Sequence, residues 1–304
     1  MRRPLASLLL ICVLLPAGCA PARSGSLGPA PTAAPPTSAP ATPTPTADGV
    51  TSPPAPATSG APPAPPAPPP VGGDPAPAGT ITVELWFVRD GRLAPTRRTR
   101  PSTPATSRLA LAELAAGPTG AEAATGLSTL LPAGAEPIGV AGGVATVRLP
   151  SATGDPATRR LRQAQVVWTL TQFPTVRRVR FDPPAEPADG PVDRTDYADL
   201  LPPIVVTGPT IGQRIDSPLT VAGTADVFEA TVSVRLLDAD GREIATTFTT
   251  ATCGTGCRGD YRVALPWRVT REQRGTVEVY EVSAQDGSRV NAVRVPVTLV
   301  PTGR

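Results

Sequence analysis

The chain of 304 residues contains no histidine and no lysine, and only 4% of it is aromatic. The missing histidine removes the usual general base and, with it, the Ser-His-Asp and Cys-His constellations of nucleophilic catalysis. A zinc site would also have to be assembled from thiolates and carboxylates alone. Arginine carries all the side-chain positive charge. The net charge of +3 is near neutral for this length and gives no footing for a nucleic-acid partner. Beyond the first 15 residues there is no run of about 20 apolar residues, so no spanning helix is expected in the rest of the chain. No paired carboxylates or other catalytic constellation stand out. We therefore expect no enzyme activity, no cofactor and no bound metal.

What is present begins at the amino terminus. Arg2 and Arg3 supply a positive region, Leu5 to Leu15 an apolar stretch too short to span a bilayer, and Ala17 and Gly18 a small-residue site before Cys19. This resembles the lipobox of bacterial lipoproteins, in which the cysteine is diacylated and becomes the new first residue. Pro16 departs from it, standing where Leu is usual. The alternatives are a plain secretory signal cut near Ala20 or Ala22, or a transmembrane anchor. On the lipoprotein reading 1–18 is removed and Cys19 carries two acyl chains, enough for firm attachment at roughly 0.8 kcal/mol per buried methylene. The mature chain then sits on the extracytoplasmic face of the cell membrane.

Four cysteines remain to be assigned. Cys12 leaves with the signal and Cys19 takes lipid. Cys253 and Cys257, in "CGTGC", are expected to form a local disulfide in an oxidising compartment. So short a loop gains little chain entropy and stiffens a turn rather than holding the fold. A metal site or a redox pair are the other readings.

Composition divides the rest. Residues 19–79 are Pro, Ala, Thr, Ser and Gly, too poor in apolar surface to offset the entropy of ordering. "PPAPPAPPP" favours polyproline II, and the tract, fully extended at about 3.1 Å per residue, reaches roughly 190 Å. It reads as a spacer through the cell wall, or as low-complexity drift in a GC-rich genome. In 80–183, "TITVELWFV" alternates as a half-buried strand. "TPATSRLALAELAAGPTG" reads as a helix with Ala110, Leu111 and Leu114 on one face and a Gly117-Pro118 stop. "IGVAGGVATVRL" is a hairpin turning at Gly142-Gly143. Asp155 caps a second helix, with Leu161, Ala164, Val167, Trp168 and Thr171 as its main buried stripe and Val166 and Leu170 as a second, so that its later half is covered on two sides. "TVRRVRFD" closes with Val179 and Phe181 inward. The order is β-α-β-β-α-β, an α+β domain with two helices on one sheet. Residues 184–203 form a second linker, docked by Tyr197 and Leu200. From 204 to 301 short alternating strands recur with Asp240-Gly241 and Asp286-Gly287 turns. About seven strands suggest an all-β immunoglobulin-like sandwich with Trp267 as a core aromatic.

"LALAELAAGPTG", "GLSTLLPAG" and "GVATVRL", in that order, resemble the GerMN family of sporulation and spore-germination proteins. "SPLTVAGTADVFEATVSVRLLDADG" and "VSAQDGSRVNAVRVPVTL" are similar to the immunoglobulin-like domain of bacterial spore germination. Together they cover about residues 80 to 300. The resemblance implies an envelope lipoprotein and the possibility of self-association. It supplies no catalytic residues.

Several sharper motifs compete with bland readings. Arg258-Gly259-Asp260 spells an adhesion tripeptide beside the expected disulfide. Asp193, Asp196 and Asp199 recur every third residue but lack the Gly turn and terminal Glu of a calcium loop, and read as a solvated linker. Arg177, Arg178 and Arg180 could face an anionic polymer or lipid, or simply solvent. The candidate interaction loop spans 117–132, with Gly117, Pro118, Gly126, Leu127, Ser128, Thr129 and Pro132 as its key residues. The alternative is a loop that only packs Leu127, Leu130 and Leu131 onto the core. We thus expect a non-catalytic, lipid-anchored envelope protein that binds or assembles with an envelope protein or wall polymer. The competing class is a peptidoglycan-acting enzyme or an accessory to one. Two buried acids facing one groove would favour the enzyme, and a flat, apolar, solvent-facing sheet edge would favour assembly.

Overall fold

The computed structural model describes residues 79–150, 154–184 and 190–301. The signal segment, Cys19 and the Pro/Ala-rich tract up to residue 78 lie outside the described residues. Among the described residues no helix is long and apolar enough to cross a membrane.

The first domain starts with a hairpin. β1 (Thr80–Arg89) pairs with β2 (Arg92–Pro101) antiparallel along its whole length. Asp90 and Gly91 turn the corner with φ of +51° and +70°, the mirror-image backbone that suits tight hairpins. The order expected from sequence lacks β2, and the reason is chemical. Its inward positions include Thr96 and Arg98, both buried, so it carries no apolar alternation to read. The Asp-Gly pair was the signal that marked it.

α1 (Thr106–Ala116) buries Ala110, Leu111 and Leu114, the face read from sequence, and stops at Gly117 with φ +84°. A one-turn helix α2 (Gly120–Ala123) follows. β3 (Glu136–Ala141), β4 (Val144–Arg148) and β5 (Arg178–Asp182) form a second sheet, β3 antiparallel and β5 parallel to β4. Gly142 and Gly143 make the β3–β4 turn as expected, and Ala145, Val147, Val179 and Phe181 face the core. Each fully buried side chain of this size contributes roughly 1.5–3 kcal/mol.

α3 (Pro156–Leu170) begins at Asp155, whose carboxylate accepts the Ala157 and Thr158 amides at 2.9 and 3.0 Å. Its expected apolar positions Ala164, Val166, Val167 and Leu170 are buried, but Leu161, Trp168 and Thr171 are only half-buried, and the polar Gln163, Gln165 and Thr169 are buried in addition. The polar residues face inward because they hydrogen-bond what β1 leaves open. Thr169 Oγ1 accepts the Trp86 amide at 3.1 Å, and Gln165 Nε2 donates to the Trp86 carbonyl at 3.0 Å. Gln172, just past the helix, accepts the Glu84 amide at 2.8 Å and donates to its carbonyl at 2.7 Å. Side chains here replace a missing neighbouring strand, and satisfy backbone groups that would otherwise be buried without partners.

The segment read as a linker docks firmly. Val192 bridges Val179, and a 3-10 turn over Arg194–Leu200 buries Tyr197, whose hydroxyl donates to Gln163 at 3.0 Å. The Arg194 guanidinium lies 4.6 Å over the Trp168 ring.

The second domain is a sandwich of eight strands. β9 (Thr231–Leu237), β10 (Glu243–Thr250), β12 (Gln273–Val282), β13 (Arg289–Leu299) and the short β7 (Arg214–Ile215) form one sheet in the order β10-β9-β12-β13-β7. β6 (Ile204–Gly208), β8 (Leu219–Ala225) and β11 (Gly259–Leu265) form the other in the order β11-β8-β6. Val221, Val232, Val234, Leu236, Val277, Val279 and Trp267 fill the space between.

Candidate functional site

The loop singled out from sequence is built as a joint. Arg98, projecting from β2, is its anchor. One Nη donates to Glu122 at 2.7 Å and to the Gly117 carbonyl at 2.9 Å, and the other to Glu113 at 3.1 Å. Thr119 and Glu122 close a reciprocal cap on α2, and Thr96 donates to Glu122 at 2.8 Å. Burial alone would raise the Glu122 carboxyl. The Thr119 amide, Arg98 and Thr96 outweigh it and leave the group below the ordinary glutamate value.

Further along, Gly126 takes φ +86° and Leu127 is buried. Ser128 exchanges two backbone hydrogen bonds with Val88, each 2.9 Å. Thr129 Oγ1 accepts the Leu131 amide at 3.2 Å, and Gln165 accepts that of Leu130 at 2.8 Å. Pro118 and Pro132 are half-buried. The polar groups that could have served a ligand are largely spent on the loop itself.

The other motifs are also taken apart. Cys253 and Cys257 form a disulfide with Cα atoms 5.7 Å apart. The Gly256 amide of that loop donates to Asp226 at 2.9 Å. Arg258 turns inward to the Pro202 carbonyl at 2.7 Å, while Asp260 stays exposed in β11, so the tripeptide is not presented as one surface. Asp193 caps the 3-10 turn together with Asp196, and Asp199 pairs with Arg160 at 2.6 Å. Arg177 lies over the Gly142 carbonyl at 3.3 Å, and Arg178 and Arg180 point to solvent.

One concave site was not visible in the sequence. A cleft of about 680 Å³ lies between the end of the β1–β2 hairpin and β13 of the sandwich. Arg89, Arg92 and Arg294 line it with Asp90, Thr125, Thr276 and Asn291, above Leu93, Pro202 and Val293. Arg92 donates one Nη to the Asp199 and Leu201 carbonyls at 3.0 and 2.9 Å, and its charge helps hold the nearby Asp199 carboxyl below its ordinary value. Arg294 reaches Glu278 through Nε at 2.7 Å, and Glu278 is shared with Arg235. Among the described residues the Arg89 guanidinium has no hydrogen bond and no ion pair. Burial pulls it below the ordinary arginine value, offset only in part by Asp90. Gly126 packs where a Cβ would sit 3.6 Å from Arg89 Cγ, so the loop supports the cleft's wall without facing its ligand side. No sequence pattern joins residues 89–94 to 291–296; only the docking of the two domains does.

The two buried carboxylates among the described residues, Glu122 and Glu278, sit in different domains, and each is committed to arginines.

An α+β domain followed by an immunoglobulin-like β-sandwich is thus the class of protein these elements define. Residues 79–182 match the family described as sporulation and spore germination, and residues 203–288 match the immunoglobulin-like domain of bacterial spore germination. The chain therefore carries a GerMN-type sporulation and spore-germination domain followed by an immunoglobulin-like germination domain. No curated protein sequence matches it. Among solved structures it is similar to the tandem GerMN domains of the sporulation protein GerM from Bacillus subtilis, at 15% identity, with TM-score 0.33, over 73% of this chain. The chain spans 62% of the length of that structure. The first GerMN domain of the same protein matches at 21% identity and TM-score 0.28, over 33% of this chain and 80% of that one. CopC from Methylosinus trichosporium OB3b matches at 16% identity and TM-score 0.23, over 33% of this chain and 97% of that one.

Proposed function

We propose that the chain is a non-catalytic cell-envelope protein, held by lipid at Cys19, whose folded part docks on another envelope component or on a second copy of itself. The observation that carries the docking half is β3. It pairs with β4 on one side only, and among the described residues no other backbone segment bonds its outer edge. Ile138 and Val140 are 47% and 44% exposed there, with Gly139 and Ala141 also open to solvent. Pro137 and a bulge beside it blunt the start of the strand, so the free edge is Ile138 to Ala141. The opposite edge of this sheet, β5, is bridged by Val192.

Because the chain has no lysine, amine-reactive crosslinkers find no side chain, and the probe has to be placed. A photo-crosslinking amino acid at Ile138 in intact cells is expected to give a covalent adduct that Val140→Glu abolishes. The adduct's mass reports whether the partner is another copy. Val140→Glu is on the surface and should change stability by no more than about 0.5 kcal/mol. An absent adduct, or one indifferent to Val140→Glu, would rule the docking edge out.

The anchor has its own test. Cys19→Ala is expected to move the protein from salt-washed membranes to the soluble fraction, with its unfolding temperature unchanged. Retention in the membrane pellet would end the lipid-anchor reading.

A further inference from the structure

We infer that the arginine-lined cleft between β1–β2 and β13 is a binding site for a phosphate oxyanion. This is separate from the docking edge on β3, and neither needs the other. Three arginines against one aspartate leave an excess of two positive charges along the cleft wall. That is enough to balance a phosphate oxyanion at neutral pH, whether a singly charged diester or a monoester of about −1.5 to −2.

The three guanidiniums are differently placed, and the difference is informative. Arg92 is oriented by two backbone carbonyls and makes no ion pair; the nearby Asp199 carboxylate is bonded to Arg160. Arg294 is held through Nε alone, and its side chain is 70% exposed. Arg89 is half-buried with no hydrogen bond or ion pair among the described residues, and only the adjacent Asp90 charge offsets its burial. A guanidinium drawn partly out of water with nothing to pair with is normally disfavoured, and a bidentate oxyanion supplies what it lacks. Thr276 and Asn291 add neutral polar groups to the lining, and Leu93, Pro202 and Val293 add apolar ones suited to a glycerol or sugar carbon skeleton. Glu278 does not cancel the field, because Arg235 shares it at the back of Arg294.

The phosphate could come from a soluble ester or wall polymer, or from a lipid headgroup, and two arms separate these sources. In the first, glycerol 3-phosphate is titrated calorimetrically into the purified full chain carrying Cys19→Ala, with glycerol as control. In the second, the same chain is sedimented with phosphatidylglycerol vesicles, with phosphatidylcholine vesicles as control. Either arm should show binding that weakens with salt and is lost by roughly tenfold or more in Arg89→Met. Arg89→Met removes a partnerless charge while keeping the stem, so its unfolding temperature should equal or exceed that of the parent. Binding in the first arm identifies a soluble or polymeric ester, and binding in the second alone a headgroup. No binding in either, or binding that Arg89→Met leaves intact, overturns the inference.

Discussion

Arg98→Met is expected to destabilise the first domain by about 3–5 kcal/mol, the usual consequence of leaving one member of a buried ion pair alone. The arginine side chain is 8% exposed and that of Glu122 6%, so solvent does little to screen what remains. The guanidinium also holds the Gly117 carbonyl and Glu113, so α1, α2 and β2 lose a common tie. Its unfolding temperature should fall by more than about 10 °C. Replacing both partners, as Arg98→Met with Glu122→Leu, should recover most of the loss. A residue of about 1 kcal/mol stays missing because Glu122 also closes the cap with Thr119. If the double variant were no better than the single, the ion pair would not be the source of the effect.

The pH dependence gives a second reading of the same group, and its sign is fixed. In the parent, Glu122 titrates below its ordinary value. Its contribution is therefore present above the unfolded value, about 4.3, and is lost as pH falls through the folded one. Without Arg98, burial is opposed only by the Thr119 amide and Thr96, so the folded value rises from that of the parent. The variant therefore loses less stability than the parent as pH falls. The stability gap between parent and Arg98→Met should thus narrow between pH 7 and pH 4. A gap that widens on acidification would contradict this account.

What could be read from the sequence was whatever expressed itself locally. The Gly142-Gly143 turn, the Asp155-Pro156 helix start and the α1 face all depend on residues within a few positions of one another. β2 and the polar part of the buried face of α3 escaped for one shared reason. Thr96, Arg98, Gln163, Gln165 and Thr169 are polar and inward because each completes a hydrogen bond with a partner far along the chain. Periodicity in apolar residues cannot register that. The cleft escaped more completely. Arg89 reads as the last residue of a strand and Arg294 as a solvent-facing position of another, and their meeting is decided by how Pro202 and Pro203 carry the chain into β6. The loop at 117–132 showed the converse. Its glycines and hydroxyls looked available, and the structure turns most of them onto their own backbone.

Gly223→Ala should be at least as damaging as loss of Arg98, and for a reason confined to one missing methyl group. Gly223 lies in β8, the middle strand of the three-stranded sheet, between Tyr261 of β11 and Val206 of β6. A Cβ there would come within 1.9 Å of the Val205 carbonyl oxygen and 2.7 Å of the Tyr261 hydroxyl. Tyr261 uses that space to donate to the same carbonyl at 3.0 Å while 3% exposed. The methyl therefore cannot be accommodated by one yielding side-chain tip; strand backbone has to move. Overpacking of about 1–3 kcal/mol adds to about 1–3 kcal/mol for breaking a buried hydrogen bond, so a total near 4 kcal/mol is expected. Gly139→Ala in β3 is the control. Nothing lies within 4 Å of its Cβ, so it should be neutral or slightly stabilising. Both are best compared at pH 7. Burial holds the Tyr261 phenol above its ordinary value, so its contribution is complete below about pH 10 and fades only above it. Because β6 carries Val205 directly behind Pro202 and Pro203, a shift of that strand also moves one wall of the cleft. Gly223→Ala should then weaken phosphate binding as well as the sandwich, whereas Gly139→Ala should leave both untouched. Equal stability for the two alanine variants would show that β8 and β6 tolerate the extra atom and that the close packing around Tyr261 is not what holds this sheet.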